Sequence, residues 1–218
     1  MRKLIFGRKY VQPADLNNSL FINNIASPVV MNGMVTRTTD HKGGNTAIQF
    51  GSGNLVSIDS LPISYVWSVA FWVKYSSTAF TQQNIVEISS DADNKNSFII
   101  RANQFQVGRI IGVNCSTGDN YNIYGNNGYN DAQWHHIVVI LDRSKSASNE
   151  IKIYKDKVLQ LLTSNLSFES IGNFISDKLY IGGRGNPNYP KLFTGATSPI
   201  KMFNYALTQT EIDNLYNE

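Results

Sequence analysis

The chain holds a single cysteine, Cys115, in 218 residues. One thiol closes no internal disulfide and builds no cysteine cluster for a metal, so the fold has to stand on apolar burial. Charge is scarce as well. Only 16% of residues are charged, and 19 basic against 16 acidic side chains leave a formal net charge of +3. Nucleic-acid binding calls for Lys and Arg gathered on one face, which this dispersed balance does not supply. Long apolar runs are missing too. No stretch reaches the roughly 18 residues of a membrane-spanning helix, so membrane insertion is not expected. The one basic cluster, Arg2-Lys3 with Arg8-Lys9, encloses only Leu4-Ile5-Phe6. That is too short for the apolar segment of a secretory signal, and synthesis from Met1 in a host cytoplasm without export is the expectation.

What the chain does have is apolar bulk, at 42% hydrophobic residues with 11 Tyr and 11 Phe. That is enough for the core of one large domain. The patterning is that of strands. Trp67, Val69, Phe71 and Val73 alternate with Ser68, Ala70, Trp72 and Lys74, a period of two with one wholly apolar side, as a sheet packed on another sheet requires. Ala47–Phe50 and Leu55–Ile58 flank the Gly-rich Gly51–Asn54 and read as a hairpin. Further strands are expected at 84–88, 97–101, 104–107, 109–114, 134–141, 150–155, 158–162, 178–182 and 197–205. The one expected helix covers roughly 208–216. Thr208 and Glu211 form a capping box, with Leu207 and Ile212 as the hydrophobic staple. Residues 1–45 lack clean periodicity, and Pro13, Pro28 and paired asparagines break them into turns. They read either as an N-terminal arm that docks on a partner or as an opening strand of the same domain.

These strands, taken in order, resemble the laminin-G-like, concanavalin A-like jelly-roll superfamily over residues 46–218. The resemblance is carried by six pieces: Ala47–Gly53; Trp67–Lys74; Trp134-His135-His136; Ile151–Lys157, similar to an "IxIYxDG" strand; Tyr180–Gly183, a "YIGG" strand; and Ile200–Tyr216, a last strand with its helix. It implies an all-β, two-sheet sandwich with a short C-terminal helix. Departures are visible. Lys157 stands where a turn glycine is usual, Ser198-Pro199 replaces an acidic pair, and no aromatic-rich opening strand shows in 1–45. The architecture hosts enzymes, lectins and structural modules, so the resemblance does not name a ligand.

Catalysis finds little support in the residues. A retaining glycosidase needs two carboxylates about 5–5.5 Å apart across one cleft. Glucanases of the resembled superfamily set theirs on one strand, in a Glu-x-Asp-x-x-Glu-like pattern. Glu87 has Ser89 at its next same-face position, and Asp142, Glu150 and Asp156 fall at strand ends. His135 and His136 are neighbours on a strand, point to opposite faces and cannot chelate one ion. Asp91, Asp93, Asn94 and Asn96 place oxygens at alternate positions, as calcium loops do, so calcium is the one cofactor to consider against a plain solvated turn.

Two loops read as recognition surface: 118–131, with Asp119, Asn120, Tyr121, Tyr124 and Tyr129, and 182–190, with Arg184, Asn186, Asn188 and Tyr189. Tyrosine offers a flat apolar face to a sugar's C–H surface, and Asn and Asp bond its hydroxyls. The expectation is a non-catalytic recognition or assembly module with glycan as its ligand. Its expected setting is the surface of a phage virion, as a capsid decoration, head fibre or tail appendage, with residues 1–45 docking on other virion proteins. A purely structural virion protein, and a glycan-processing enzyme or cellular lectin, are the alternatives.

Overall fold

The computed structural model describes residues 4–6, 9–11, 29–32, 36–51, 53–58, 61, 64–76, 81–89, 97–103, 107–116, 119–124, 128–146, 149–161, 163–165, 178–186 and 188–218. The strands in chain order are β1 (Leu4–Phe6), β2 (Lys9–Val11), β3 (Val29–Asn32), β4 (Thr36–Thr38), β5 (Ala47–Phe50), β6 (Leu55–Ile58), β7 (Val66–Lys74), β8 (Gln83–Ile88) and β9 (Ser97–Ala102). They continue with β10 (Ile110–Ser116), β11 (Asp119–Tyr124), β12 (His135–Asp142), β13 (Ile151–Lys155), β14 (Val158–Leu159), β15 (Thr163–Asn165), β16 (Leu179–Ile181), β17 (Gly195–Thr197) and β18 (Lys201–Phe203). The helix α1 spans Gln209–Asn217.

Two antiparallel sheets face each other. The first runs β15-β11-β10-β9-β8-β16-β6-β3, and the second β14-β13-β12-β7-β17-β5-β4, with β18 also on β7. Between them lies the main core, in which Trp67, Val69, Phe71 and Val73 of β7 meet Ile137, Val139 and Leu141 of β12 and Phe50, Val56, Ile58, Ile88, Phe98 and Ile100. The alternation seen in the sequence is thus the inner face of the second sheet. Its outer face is apolar as well, and α1 covers it: Ala70, Val138, Ile140 and Tyr154 pack with Leu207 and Ile212. The capping box forms as expected, Thr208 Oγ1 accepting from the Glu211 amide while Glu211 accepts from the Thr208 amide at 2.8 Å.

Three expectations are corrected. Ala47–Phe50 and Leu55–Ile58 are not a hairpin, because β5 pairs with β4 and β17 while β6 pairs with β3 and β16 in the opposite sheet. The Gly-rich turn carries the chain across the sandwich. The expected strand 197–205 is broken into β17 and β18, since Pro199 has no amide to donate. Ser198 holds the break to β7, its amide donating to the Trp72 carbonyl at 2.8 Å and its hydroxyl accepting from the Trp72 amide at 2.9 Å. Residues 119–124, taken as part of a recognition loop, form β11 and pair with β10 from Ser116↔Asp119 to Ile111↔Tyr124.

The two readings of residues 1–45 divide within that segment. β1 and β2 pair with each other in a sheet of their own, whereas β3 and β4 sit at edges of the two large sheets. Among the described residues, no helix is long and apolar enough to cross a membrane.

Candidate functional site

The outer face of the first sheet carries a buried polar network. A bulge between Asn84 and Val86 shifts the register of β8 against β9, so that Asn84 and Glu87 share one side while Ile85, Val86 and Ile88 enter the core. Glu87 is fully buried. Its Oε2 accepts from Asn84 Nδ2 at 2.7 Å and lies 3.3 Å from Arg184 Nε, and its Oε1 accepts from Ser89 Oγ at 2.9 Å. Burial pushes its pKa up, and Arg184, Ser89 and Asn84 pull against that. A carboxylate so enclosed ties β8 to the 182–190 loop through Arg184.

Arg184 therefore leaves the recognition loop. Expected on the surface, it is buried and reaches inward to Glu87, because an enclosed carboxylate needs a charged partner. Beyond it, Asn188, Tyr189 and Pro190 are exposed. Asn188 donates its amide to Asn186 Oδ1 at 2.9 Å, and Tyr189 is 66% exposed. The Gly182-Gly183 pair reflects close packing: a Cβ on Gly182, at φ +85°, would lie 2.3 Å from the Phe50 ring.

Tyr129 is also corrected. It is completely buried, its ring edge-on to His135 and beneath Lys155 Nζ at 4.7 Å, so it packs in the core and not on the loop surface. Asp119, Asn120, Tyr121 and Tyr124 stand on β11, apart from the 182–190 loop in the chain and described here by backbone alone. Asp91, Asp93, Asn94 and Asn96 lie outside the described residues. Among the described residues, no three His, Cys, Asp or Glu side chains form a metal-ligating group.

The two histidines divide as strand geometry demands. His135 is clamped between Asp156 at 2.7 Å and Asp131 at 3.1 Å. His136 lies on the other side of β12, 5.2 Å from the Trp72 ring. Asp156 and Lys157 form the turn between β13 and β14, at φ 49° and 73°. The backbone thus takes the left-handed shape that the resembled pattern fills with glycine. Lys157 holds its place with a tertiary contact, its Nζ sitting 4.6 Å over the Tyr216 ring of α1.

An open cavity of about 230 Å³ lies at the end of the second sheet, where β4, β5, β7 and β17 meet the 128–134 segment. Trp134, Lys74, Gln49, Thr38 and Thr194 are among its lining residues. Trp134 is half-buried, and Lys74 Nζ stands 6.0 Å from its ring centroid. The amide of Gln49 is pinned by two donated bonds, to the carbonyls of Phe50 and Gly195, each 3.0 Å. Ala132, at φ 62°, bends the wall into place and donates its amide to the Tyr75 carbonyl at 3.1 Å. A non-glycine residue held in that region is strained, and strain gathers at functional sites. The cavity is smaller than the roughly 300–1,000 Å³ of a drug-sized site and suits a single ring. One flat apolar wall, several hydroxyls, one amide and one ammonium can hold a polyhydroxylated ring without chemical change. In the sequence Trp134 reads as the start of a strand. Nothing there places Thr38, Gln49, Lys74 and Thr194 beside it.

The concanavalin A-like lectin/glucanases superfamily profile matches residues 42–213. No curated protein sequence matches the chain. Among solved structures, the receptor-binding domain of botulinum neurotoxin C/D mosaic serotype superposes with a TM-score of 0.65 at 13% identity, covering 99% of this chain and 50% of that one. The serotype D binding domain gives 0.64 at 12% identity, with 99% and 50% covered. A structure from botulinum neurotoxin type C, whose penetration of cells is dependent upon interaction with two ganglioside molecules, gives 0.60 at 13%, with 100% and 50% covered. This chain spans about half the length of those structures, and at such identity the likeness is one of fold. The ordered strands, the two-sheet core and the profile match agree: the chain belongs to the concanavalin A-like lectin/glucanases superfamily.

Proposed function

We propose that this domain is a non-catalytic glycan-recognition module, and that the Trp134 cavity is where a sugar ring sits. The observation that carries the reading is the indole beside Lys74, Thr38, Gln49 and Thr194 in one open cavity. Trp134 provides the stacking wall, and the hydroxyls and amide provide hydrogen bonds. Membership of a lectin-like superfamily and a ganglioside-binding structural neighbour support the same ligand class. Asn188 and Tyr189, exposed in the second loop, and the half-buried Asn186 offer additional polar contact.

The setting we propose is the surface of a phage virion, with the N-terminal residues docking on other virion proteins. Weak single-site binding becomes useful there, because many copies act together. The assembly side of this reading rests on the β14 edge, where Val158, Leu159 and Leu161 are 63%, 51% and 85% exposed. Aliphatic side chains beside β14, the edge strand of the second sheet among the described residues, suit contact with another chain.

A glycan array probed with multimerised protein tests the ligand class. Binding to at least one surface polysaccharide is expected, with Trp134→Ala weakening it by about tenfold or more, the loss of one good stacking contact. An array blank at every glycan, or binding that Trp134→Ala leaves unchanged, removes the reading.

A further inference from the structure

The outer face of the second sheet holds an aromatic clasp that the glycan reading does not use. His41 stacks on Trp72 at 4.0 Å with the rings 12° apart. His136, the cross-strand partner of Trp72, lies 5.2 Å from it. Tyr216 of α1 closes over both, 5.0 Å from Trp72 and 5.8 Å from His136. Four segments meet here: the 40–46 loop, β7, β12 and the last turn of α1.

Among the described residues, His136 Nδ1 and both ring nitrogens of His41 are shut from water without a hydrogen-bond partner. A neutral imidazole tolerates that. An imidazolium has two donors and a charge to satisfy, and here the nitrogens of His41 and Nδ1 of His136 would donate to nothing in the protein. The charged groups around the clasp pull both ways: Asp40 and Asp156 favour the charged rings, while Lys42 and Lys201 oppose them. Lys42 of the loop donates to the Asn217 carbonyl at 3.1 Å, Lys157 of the β13–β14 turn covers Tyr216, and Lys201 of β18 pairs with Glu218. The carboxylates are already engaged: Asp40 by Thr46 and the amides of Lys42 and Gly44, and Asp156 by His135 and the His136 amide. On α1 itself, Glu211 is held by Thr208 and Tyr205, and Asp213 by Gln209.

The helix α1 has one fully buried residue, Ile212, and an open cavity of about 210 Å³ lined by His41, Trp72, His136 and Leu215 lies beside its last turn.

We propose that protonation of His41 and His136 undocks α1 while the two sheets hold, an acid-dependent exposure of the strip Ala70, Trp72, Val138 and Ile140. The direction follows from linkage. Burial holds His136 down to about 4 and keeps His41 below its usual value, and both rings regain ordinary basicity when released. Docking is therefore favoured above the free-histidine value of about 6.5 and is lost as pH falls towards 4.

Hydrogen exchange on the full chain, corrected for intrinsic rates, tests this at about pH 7 and about pH 4.5. The α1 amides are expected to lose protection by at least about tenfold relative to β7 and β12, since each depressed unit adds up to tenfold to the undocked population. The double variant His41→Phe/His136→Phe keeps two rings and should lose the difference. Joint loss of protection in α1, β7 and β12, or an undiminished effect in the double variant, overturns the proposal. Should that variant not fold, imidazole resonances of the unmodified chain decide. A His136 midpoint that coincides with helix loss supports undocking, and two transitions separated by more than about one pH unit refute it.

Discussion

At the scale of single residues, burial decided which polar side chains are structural. Arg184 and Tyr129 sit in segments rich in Asn, Gly and Tyr, and in the sequence they cannot be told apart from Asn188 and Tyr189. The first two are enclosed and the last two are exposed. The reason lies across the fold: Glu87, on a different strand, needs a cation, and Arg184 is within reach. Replacing Arg184 with Leu leaves a fully buried carboxylate without its ion pair, and such a loss costs about 3–5 kcal/mol. Urea unfolding should show that drop in stability, and a second substitution, Glu87→Gln, should recover part of it. A stability change within experimental error for the single variant would mean that the pair contributes nothing.

Elements were legible where local chemistry sets them. The α1 helix announces itself by Thr208, Glu211 and the Leu207–Ile212 staple, all within six positions. Thr208→Ala removes the side-chain acceptor for the Glu211 amide and should destabilise the helix by about 1 kcal/mol. Amide exchange in the first turn reads this directly, and unchanged exchange there would show that the cap contributes nothing. The long β7 strand was equally plain, because alternation over Trp67–Val73 has no helical counterpart. Pairing was not plain. Gly51–Asn54 carries turn residues that serve a hairpin and a crossing between sheets equally well. Which one forms depends on whether β5 finds β17 and β6 finds β16, strands more than 120 positions away. Pro199 likewise marks a break in the sequence, but only the facing Trp72 amide shows what bridges it.

At the scale of the whole molecule, the N-terminal segment is where the two levels diverge. Its weak periodicity left an arm and an opening strand both open, and β3 and β4 lie at the edges of the two sheets. Deleting residues 1–28 should leave the melting temperature within a few degrees of the full chain, because among the described residues β1 and β2 pair with each other in a sheet of their own. Deleting residues 1–38 removes two edge strands and should lower it markedly. Equal melting of all three chains would contradict the pairing of β3 and β4. The same shorter deletion examines docking: particles that still incorporate a chain lacking residues 1–28 exclude that segment as the attachment point. The Trp134 cavity also exists only at this scale. Thr38, Gln49, Lys74, Trp134 and Thr194 come from five separate stretches and converge because β4, β5, β7 and β17 lie side by side at one end of a sheet.

The sequence by itself determined the class of fold, the main strand rhythm, the terminal helix and the superfamily, because these rest on local periodicity and on motifs read a few residues at a time. The tertiary structure decided the rest: which sheet each strand joins, which polar residues are enclosed, that His136 faces Trp72 while His135 is held by carboxylates, and that Trp134 opens onto a cavity. Those outcomes depend on contacts between residues far apart in the chain, and the energy of such a contact is set by burial and partners that no short window of sequence contains.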